Sequence, residues 1–265
     1  MNTASDNSSH DLEKGVALCA EGSSKMEPSV QEVGTVGEYV YLGNTMYRKA
    51  DLASAFSGFG SGTAQIKNEG TGYANPVPLG LAAFSYSCML LSLYNMQVRG
   101  VTNNHILVGV SFFLGGMIEV LAGLLCFVTG NTYGMVVFSI FGAFWFCEGA
   151  IITDAFGVIQ SFGDDTKMLN DALGLFLIVW VIFTFFMFLC TLKSPWGLFG
   201  LLFFLDITFL LLSIASFTGN ENVTKAGGWT GLISSFFGWY SLYATFSNSS
   251  NSYIPLPMLM MPNAS

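Results

Sequence analysis

The sequence predicts an all-α membrane protein: a six-transmembrane-helix bundle with a disordered N-terminal tail. Three observations carry that expectation. Only 10% of the 265 residues are charged while 52% are apolar, whereas soluble domains carry about a quarter charged residues. The chain holds 25 Phe and 30 Gly, residue types that lipid accepts while it penalises ions. Six apolar stretches follow one another after residue 75, without the strand-like alternation that a membrane barrel requires.

Taken in order, residues 1–74 form an acidic tail with nine Asp or Glu against five Lys or Arg, rich in Ser and Gly. No apolar leader core stands at its start, and it buries too little apolar area to offset chain entropy, so it is expected to be disordered. Residues 39–59 are a candidate for a short amphipathic helix on the membrane, because aromatic faces favour the interface. The spans are expected near 78–98, 106–128, 134–152, 172–191, 196–217 and 228–245. Each is about 18–23 residues, enough to cross a hydrocarbon core about 30 Å thick. Residues 75–246 thus make a transmembrane domain with both termini on one side, and 247–265 a short C-terminal tail.

Composition also excludes functions. Two His and no His/Cys cluster leave no metal site or cofactor to expect, and nine Lys plus Arg against seventeen acids leave no basic surface for nucleic acid. No Ser/His/Asp constellation points to an enzyme. Cys88, Cys126, Cys147 and Cys190 lie in apolar runs, where a thiol behaves as a small hydrophobe, and Cys19 lies in the tail. Loop charges Arg99, Lys167 and Lys225 on one side, against Lys67 and Lys193 on the other, leave orientation open by the positive-inside rule. A sequon, Asn222-Val223-Thr224, sits close to the bilayer between the fifth and sixth spans.

The first span opens Asn75-Pro76-Val77-Pro78-Leu79-Gly80-Leu81. Asn is a good helix cap, and prolines lack amides that the first turn would leave unpaired. Such a start presents free amides and a positive dipole end at a defined depth, where a carboxylate could be met; it serves equally as a stable helix start. The heptapeptide closely resembles the NPAPLGL signature of the acetate uptake transporter family. Further matches follow in the family's order: Ala122-Gly123-Leu124-Leu125, Gly130-Asn131-Thr132-Tyr133-Gly134, Phe141-Gly142-Ala143-Phe144-Trp145, Thr191-Leu192-Lys193 and Ala226-Gly227-Gly228-Trp229-Thr230-Gly231-Leu232. The resemblance covers about residues 70–245. It implies a six-helix protomer assembled as a hexamer with one path per subunit, cytosolic termini and transport of acetate or related monocarboxylates at the plasma membrane. Position by position, it also implies an apolar constriction at Phe84, Phe141 and Leu205, with Phe141 standing where the family usually has Tyr.

Glu119, Glu148 and Asp206 fall inside the expected second, third and fifth spans. An ionised carboxylate there costs at least about 2.5 kcal/mol on insertion scales, so each must face a cavity, find a partner or carry a proton. Glu119 shares a stripe with Ser111, Gly115 and Gly123 at four-residue steps, suited to close helix approach or to a water-filled path. These three are the candidate proton or charge sites. The expected function is proton-linked passage of acetate through the constriction. Export of ammonia or ammonium on the same fold, and a non-transporting membrane sensor, are the competing readings.

Overall fold

The computed structural model describes residues 33–36, 39–42, 45–48, 73–247 and 251–262. The chain divides into two compact units, Met1–Ala55 and Phe56–Ser265. The first holds an antiparallel sheet of β1 (Val33–Val36), β2 (Tyr39–Leu42) and β3 (Thr45–Arg48), in that order. This corrects the expectations of a tail without structure and of a helix from residue 39. The runs VGTV, YVYL and TMYR are dominated by β-branched and aromatic residues, which fit a pleated strand better than a helix. Leu42 pairs with Thr45, and the intervening sequence Gly43-Asn44 is a two-residue hairpin signal. Residues 1–32 and 49–72 lie outside the described residues.

The second unit contains α1 (Val77–Asn95), α2 (Leu107–Val128), α3 (Thr132–Thr153), α4 (Thr166–Leu189), α5 (Trp196–Thr218) and α6 (Glu221–Phe246). The first five are long and apolar enough to cross a membrane, which makes the chain an integral, multi-pass membrane protein. The sixth has the length, at 26 residues, but carries Glu221, Lys225 and many small residues. Two helices begin earlier than hydropathy suggested, because polar caps extend them. Asp165 accepts a hydrogen bond from the Met168 amide at the start of α4, and Asn220 accepts one from Asn222 at the start of α6. The sequon asparagine therefore lies in the first turn of a helix.

Two tight connections use the same device. After α2, Gly130 takes φ +74°, and the Asn131 amide reaches back to the Cys126 carbonyl at 2.9 Å. The Asn131 side chain then caps α3 by accepting from Gly134 at 2.9 Å. After α5, Gly219 takes φ +65° and Asn220 caps α6. A left-handed glycine satisfies the closing carbonyls and an asparagine satisfies the opening amides, so each pair turns antiparallel within a few residues. The motif Gly130-Asn131 is thus a structural hinge.

Within α2, Val110–Ile118 is π-helical, ending where Glu119 begins an ordinary helix. Small residues let the helices close on one another. Gly115 lies against the Trp145 ring, Gly123 against Ser139 and Gly142 against Val120, which seats α2 on α3. The buried row Gly227, Gly228, Gly231, Ser234, Gly238 and Ser241 seats α6 against α1 and α5. Backbone approach of this kind replaces hydrophobic driving force, which lipid does not supply between helices. A Cβ at Gly142 would come within 2.8 Å of the Val120 amide nitrogen, whereas one at Gly109 would meet nothing within 4 Å. Gly142→Ala should therefore destabilise the detergent-solubilised protein by about 1–3 kcal/mol, as overpacking does. Gly109→Ala should leave stability unchanged or raise it by about 0.5–1 kcal/mol through helix propensity. Thermal denaturation of the two variants side by side checks both.

Candidate functional site

Phe84, Phe141 and Leu205 come from three different helices and meet. Phe84 lies seven residues into α1, Phe141 nine into α3 and Leu205 nine into α5. At 1.5 Å per residue these are depths of about 10–14 Å, so the three sit at nearly one level when the odd-numbered helices run the same way. All are buried, at 4%, 2% and 4% exposure. The Phe84 and Phe141 ring centroids are 6.3 Å apart. All three line one cavity of about 30 Å³, room for no more than a water or two.

The other walls of that cavity lie further along the same helices. Cys88, Leu91, Ser92 and Asn95 follow Phe84 on α1, Phe144 and Trp145 follow Phe141, and Thr208, Phe209 and Leu212 follow Leu205. The apolar trio thus closes one end, and the rest is walled mainly by Leu91, Phe144, Trp145, Phe209 and Leu212, with Cys88, Ser92, Asn95 and Thr208 set among them. Thr208 Oγ1 bonds to the Phe204 carbonyl at 2.7 Å and to Thr230 Oγ1 at 2.9 Å, which ties α5 to α6 beside the cavity. The Cys88 thiol donates to the Gly231 carbonyl at 3.4 Å, tying α1 to α6.

Behind the trio stands a collar of rings that sequence reasoning missed. Phe141 stacks on Phe209 (6.4 Å, 6°) and on Trp180 (6.2 Å, 28°) and meets Phe183 edge-on at 5.3 Å. Trp180 also contacts Phe144 at 5.1 Å. Trp180 and Phe183 belong to α4, most of whose side chains face outward, yet they fix the position of Phe141. The polar lining was missed too. Phe84, Cys88, Leu91, Ser92 and Asn95 follow the helical i, i+4, i+7 rule, and reading that face onward from Phe84 would have found it.

The start of α1 departs from the expectation of open amides. Pro76 is the cap, Asn75 Oδ1 accepts the Val77 amide at 3.1 Å, and the Pro76 carbonyl takes Leu79 (3.0 Å) and Gly80 (3.4 Å). With Pro78 having no N–H, the first turn offers no free donor for a carboxylate. At this helix start the Asn75 side chain keeps its Nδ2 donor unused. Asn75 is half-buried, Pro76, Pro78 and Gly80 are buried, and Leu79 is exposed. Gly80 has a packing role, since the Phe138 ring lies directly on it and draws α3 onto α1.

None of the three intramembrane carboxyls lines the cavity. Glu119 is fully buried with both oxygens lacking a hydrogen bond of ordinary geometry, although the Trp145 indole lies beside it. Trp145 is a cavity wall, so one ring separates Glu119 from that space. Ser111, Gly115 and Gly123, which share its stripe, are buried against α3, so the stripe is a helix contact. Glu148 is half-buried near the end of α3, and Asp206 is half-buried with Oδ1 enclosed and unpartnered.

Comparison with known proteins matches this arrangement to a single group. The model of the GPR1/FUN34/yaaH family matches residues 59–263. The ammonia transport outward protein 3 of Saccharomyces cerevisiae is 48% identical over 99% of each chain. Acetate permease A of Emericella nidulans is 38% identical over 72% of this chain and 67% of its own. The solved structure of the bacterial acetate channel SatP superposes with a TM-score of 0.60 at 32% identity, over 70% of this chain and 99% of the channel. With its residues 59–263 matched and the channel's fold shared, the chain belongs to the GPR1/FUN34/yaaH family, the acetate uptake transporters.

Proposed function

We propose that the chain is a plasma-membrane transporter or channel passing acetate and similar short monocarboxylates through the Phe84, Phe141 and Leu205 constriction, each acid moving with a proton. The observation that carries this reading is the cavity itself: closed at one end by three apolar side chains at one depth, walled beyond them mostly by apolar groups, and holding the few polar groups of Cys88, Ser92, Asn95 and Thr208. A carboxylate ion must shed its water to pass an apolar ring, and an isolated ion in low dielectric loses far more than a neutral acid does. The protonated acid passes, and small inorganic ions, which cannot neutralise themselves, are refused. Beyond the ring, hydroxyl and carboxamide groups take up the acid's two oxygens, and Asn75 Nδ2 offers a donor on the approach.

In this reading α6 is the sixth span. Both termini lie in the cytosol, copies assemble as a hexamer with one path each, and no cofactor or covalent chemistry is involved. Three sets of outcomes test it in proteoliposomes. Uptake of labelled acetate should saturate and rise when an inward proton gradient is imposed. It should fall roughly tenfold per pH unit above the acid's own pKa, following the neutral fraction. Gradient-independent flux removes the proton link, and absence of saturable flux removes transport. Trp180→Leu takes away the ring stacked on Phe141, so propionate and lactate flux should rise relative to acetate by about threefold or more, a gain in the range set by the loss of one aromatic contact. An unchanged ratio would show that the collar does not set the width.

A second reading, export of ammonia or ammonium, is favoured by one observation. Glu119 is buried beside the Trp145 indole, which stands between it and the cavity, and has no other side-chain partner among the described residues. A carboxylate there repels acetate anion and attracts a cation, which the ring faces also accept. Glu119→Gln separates the two readings. Under the acid reading acetate flux is kept or raised; under the ammonium reading methylammonium flux falls about tenfold or more, the scale of losing a charged partner.

A further inference from the structure

The last stretch of the chain, residues 226–265, contains no Asp, Glu, Lys, Arg or His. A tail held in water by its own composition normally draws on charge, and this one does not. Residues 251–262 are also not loose. They fold back over the end of the bundle where α5 begins and α6 ends, and hydrogen bonds pin them there. The Trp196 amide donates to the Leu259 carbonyl at 2.9 Å, in an antiparallel bridge between Pro195 and Met260. The Tyr240 hydroxyl donates to the Pro257 carbonyl at 2.8 Å and accepts the Leu259 amide at 3.2 Å. The Tyr243 hydroxyl donates to the Ile254 carbonyl at 3.0 Å, while Ser247 Oγ accepts the Leu256 amide at 2.9 Å.

The consequence is an unusual division of labour. Along Ile254-Pro255-Leu256-Pro257, two residues have no N–H and the other two donate to serine hydroxyls. The Leu256 amide and the Ile254 and Pro257 carbonyls are thus turned toward partners at the end of the bundle, and the Ile254 amide is satisfied within the strap by Ser252. The large side chains left outside are Tyr253, Ile254 (71% exposed), Leu256, Leu259 (55%) and Met260. Paired backbone with outward apolar side chains is what a segment in an apolar medium needs, because an unpaired peptide group there has no water to turn to. Its anchors, Trp196, Tyr240 and Tyr243, are the residue types that populate the membrane–water boundary. Trp196 stands at the first residue of α5, the level at which that span leaves the hydrocarbon.

We propose that residues 251–262 form an interfacial strap that lays its apolar side chains into the lipid surface around the start of α5 and the end of α6. The occupant is lipid because the exposed apolar residues belong to one short uncharged peptide held by the hydroxyls of Tyr240 and Tyr243. A second copy of the chain would need a broad face with interdigitating side chains. The strap thereby holds the first turn of α5, the helix that carries Leu205, at a fixed height in the bilayer.

The test uses the full chain in nanodiscs of phosphatidylcholine that carries a photoreactive diazirine near the acyl carbonyl, with labelled peptides identified by mass spectrometry. The expected result is labelling of the 251–262 peptide within about twofold of peptides from the outward face of α4, the depth range that interfacial segments share. Ile254→Glu with Leu259→Glu should cut strap labelling by about fivefold or more and leave α4 unchanged, since charges leave the apolar layer. Strap labelling no higher than that of the 154–165 loop in the unaltered protein overturns the proposal. The unaltered protein alone decides the matter should the double variant fail to fold.

Discussion

Helices in lipid are drawn together by close contact and by hydrogen bonds between them, and in this protein glycine and serine provide much of both. Gly115, Gly123 and Gly142 let α2 and α3 touch, while Gly228, Gly231 and Gly238 let α6 sit against α1. Everything at the constriction depends on those approaches. Trp145 can wall the cavity because Gly115 gives its ring a seat, and Phe138 can bring α3 to α1 because Gly80 has no side chain. With the backbones so near, the space left between α1, α3 and α5 is only wide enough for rings and one small void.

That arrangement explains why several motifs of the chain have structural rather than chemical roles. Gly130-Asn131 turns the chain and caps α3, and Ala226-Gly227-Gly228 with Gly231 makes the seat for α1. Asn75-Pro76-Val77-Pro78 builds a self-satisfied first turn. The sequence suggested an anion-binding helix start there. It did not reveal that the Pro76 carbonyl would take two of the amides and Asn75 the third. A helix N-terminus loses its donors when the residues before it fold back as acceptors, and sequence spacing does not distinguish that from an open end.

How far the site could be read from residues alone follows the same division. Span lengths were legible because the bilayer imposes them, and the ends moved furthest where Asp165 and Asn220 added polar caps. Phe84, Phe141 and Leu205 came from family resemblance, since 25 Phe in one chain make no single ring conspicuous. Trp180 and Phe183 were not legible at all, because they act from a helix that otherwise faces outward. The strands in 33–48 were hidden by their shortness: four-residue runs fit either periodicity, and only the Gly43-Asn44 pair distinguishes them. Glu119 was legible as an anomaly, a charge-bearing residue in a span. Its isolation beside Trp145 is a fact of packing.

In the proposed function the constriction and Glu119 would have different tasks, and their places in the structure separate them. The ring of Phe84, Phe141 and Leu205 has no polar atom to offer, so it discriminates by the cost of bringing charge into it, which falls on acetate and ammonium alike. Both solutes have a neutral form, and both pass more readily in it. A discriminator must therefore lie off the ring, where one protonation state can be held while the other is refused. Glu119 stands in that position, behind Trp145 and outside the cavity wall. From there, under the proposed function, it would act through its field, without touching the solute. A negative charge at that point would raise the energy of an approaching anion and lower that of a cation, and a neutral carboxyl would do neither. Under the proposed function, the ring would admit a small neutral solute, and the state of one carboxyl one indole away would bias which solute arrives to be neutralised.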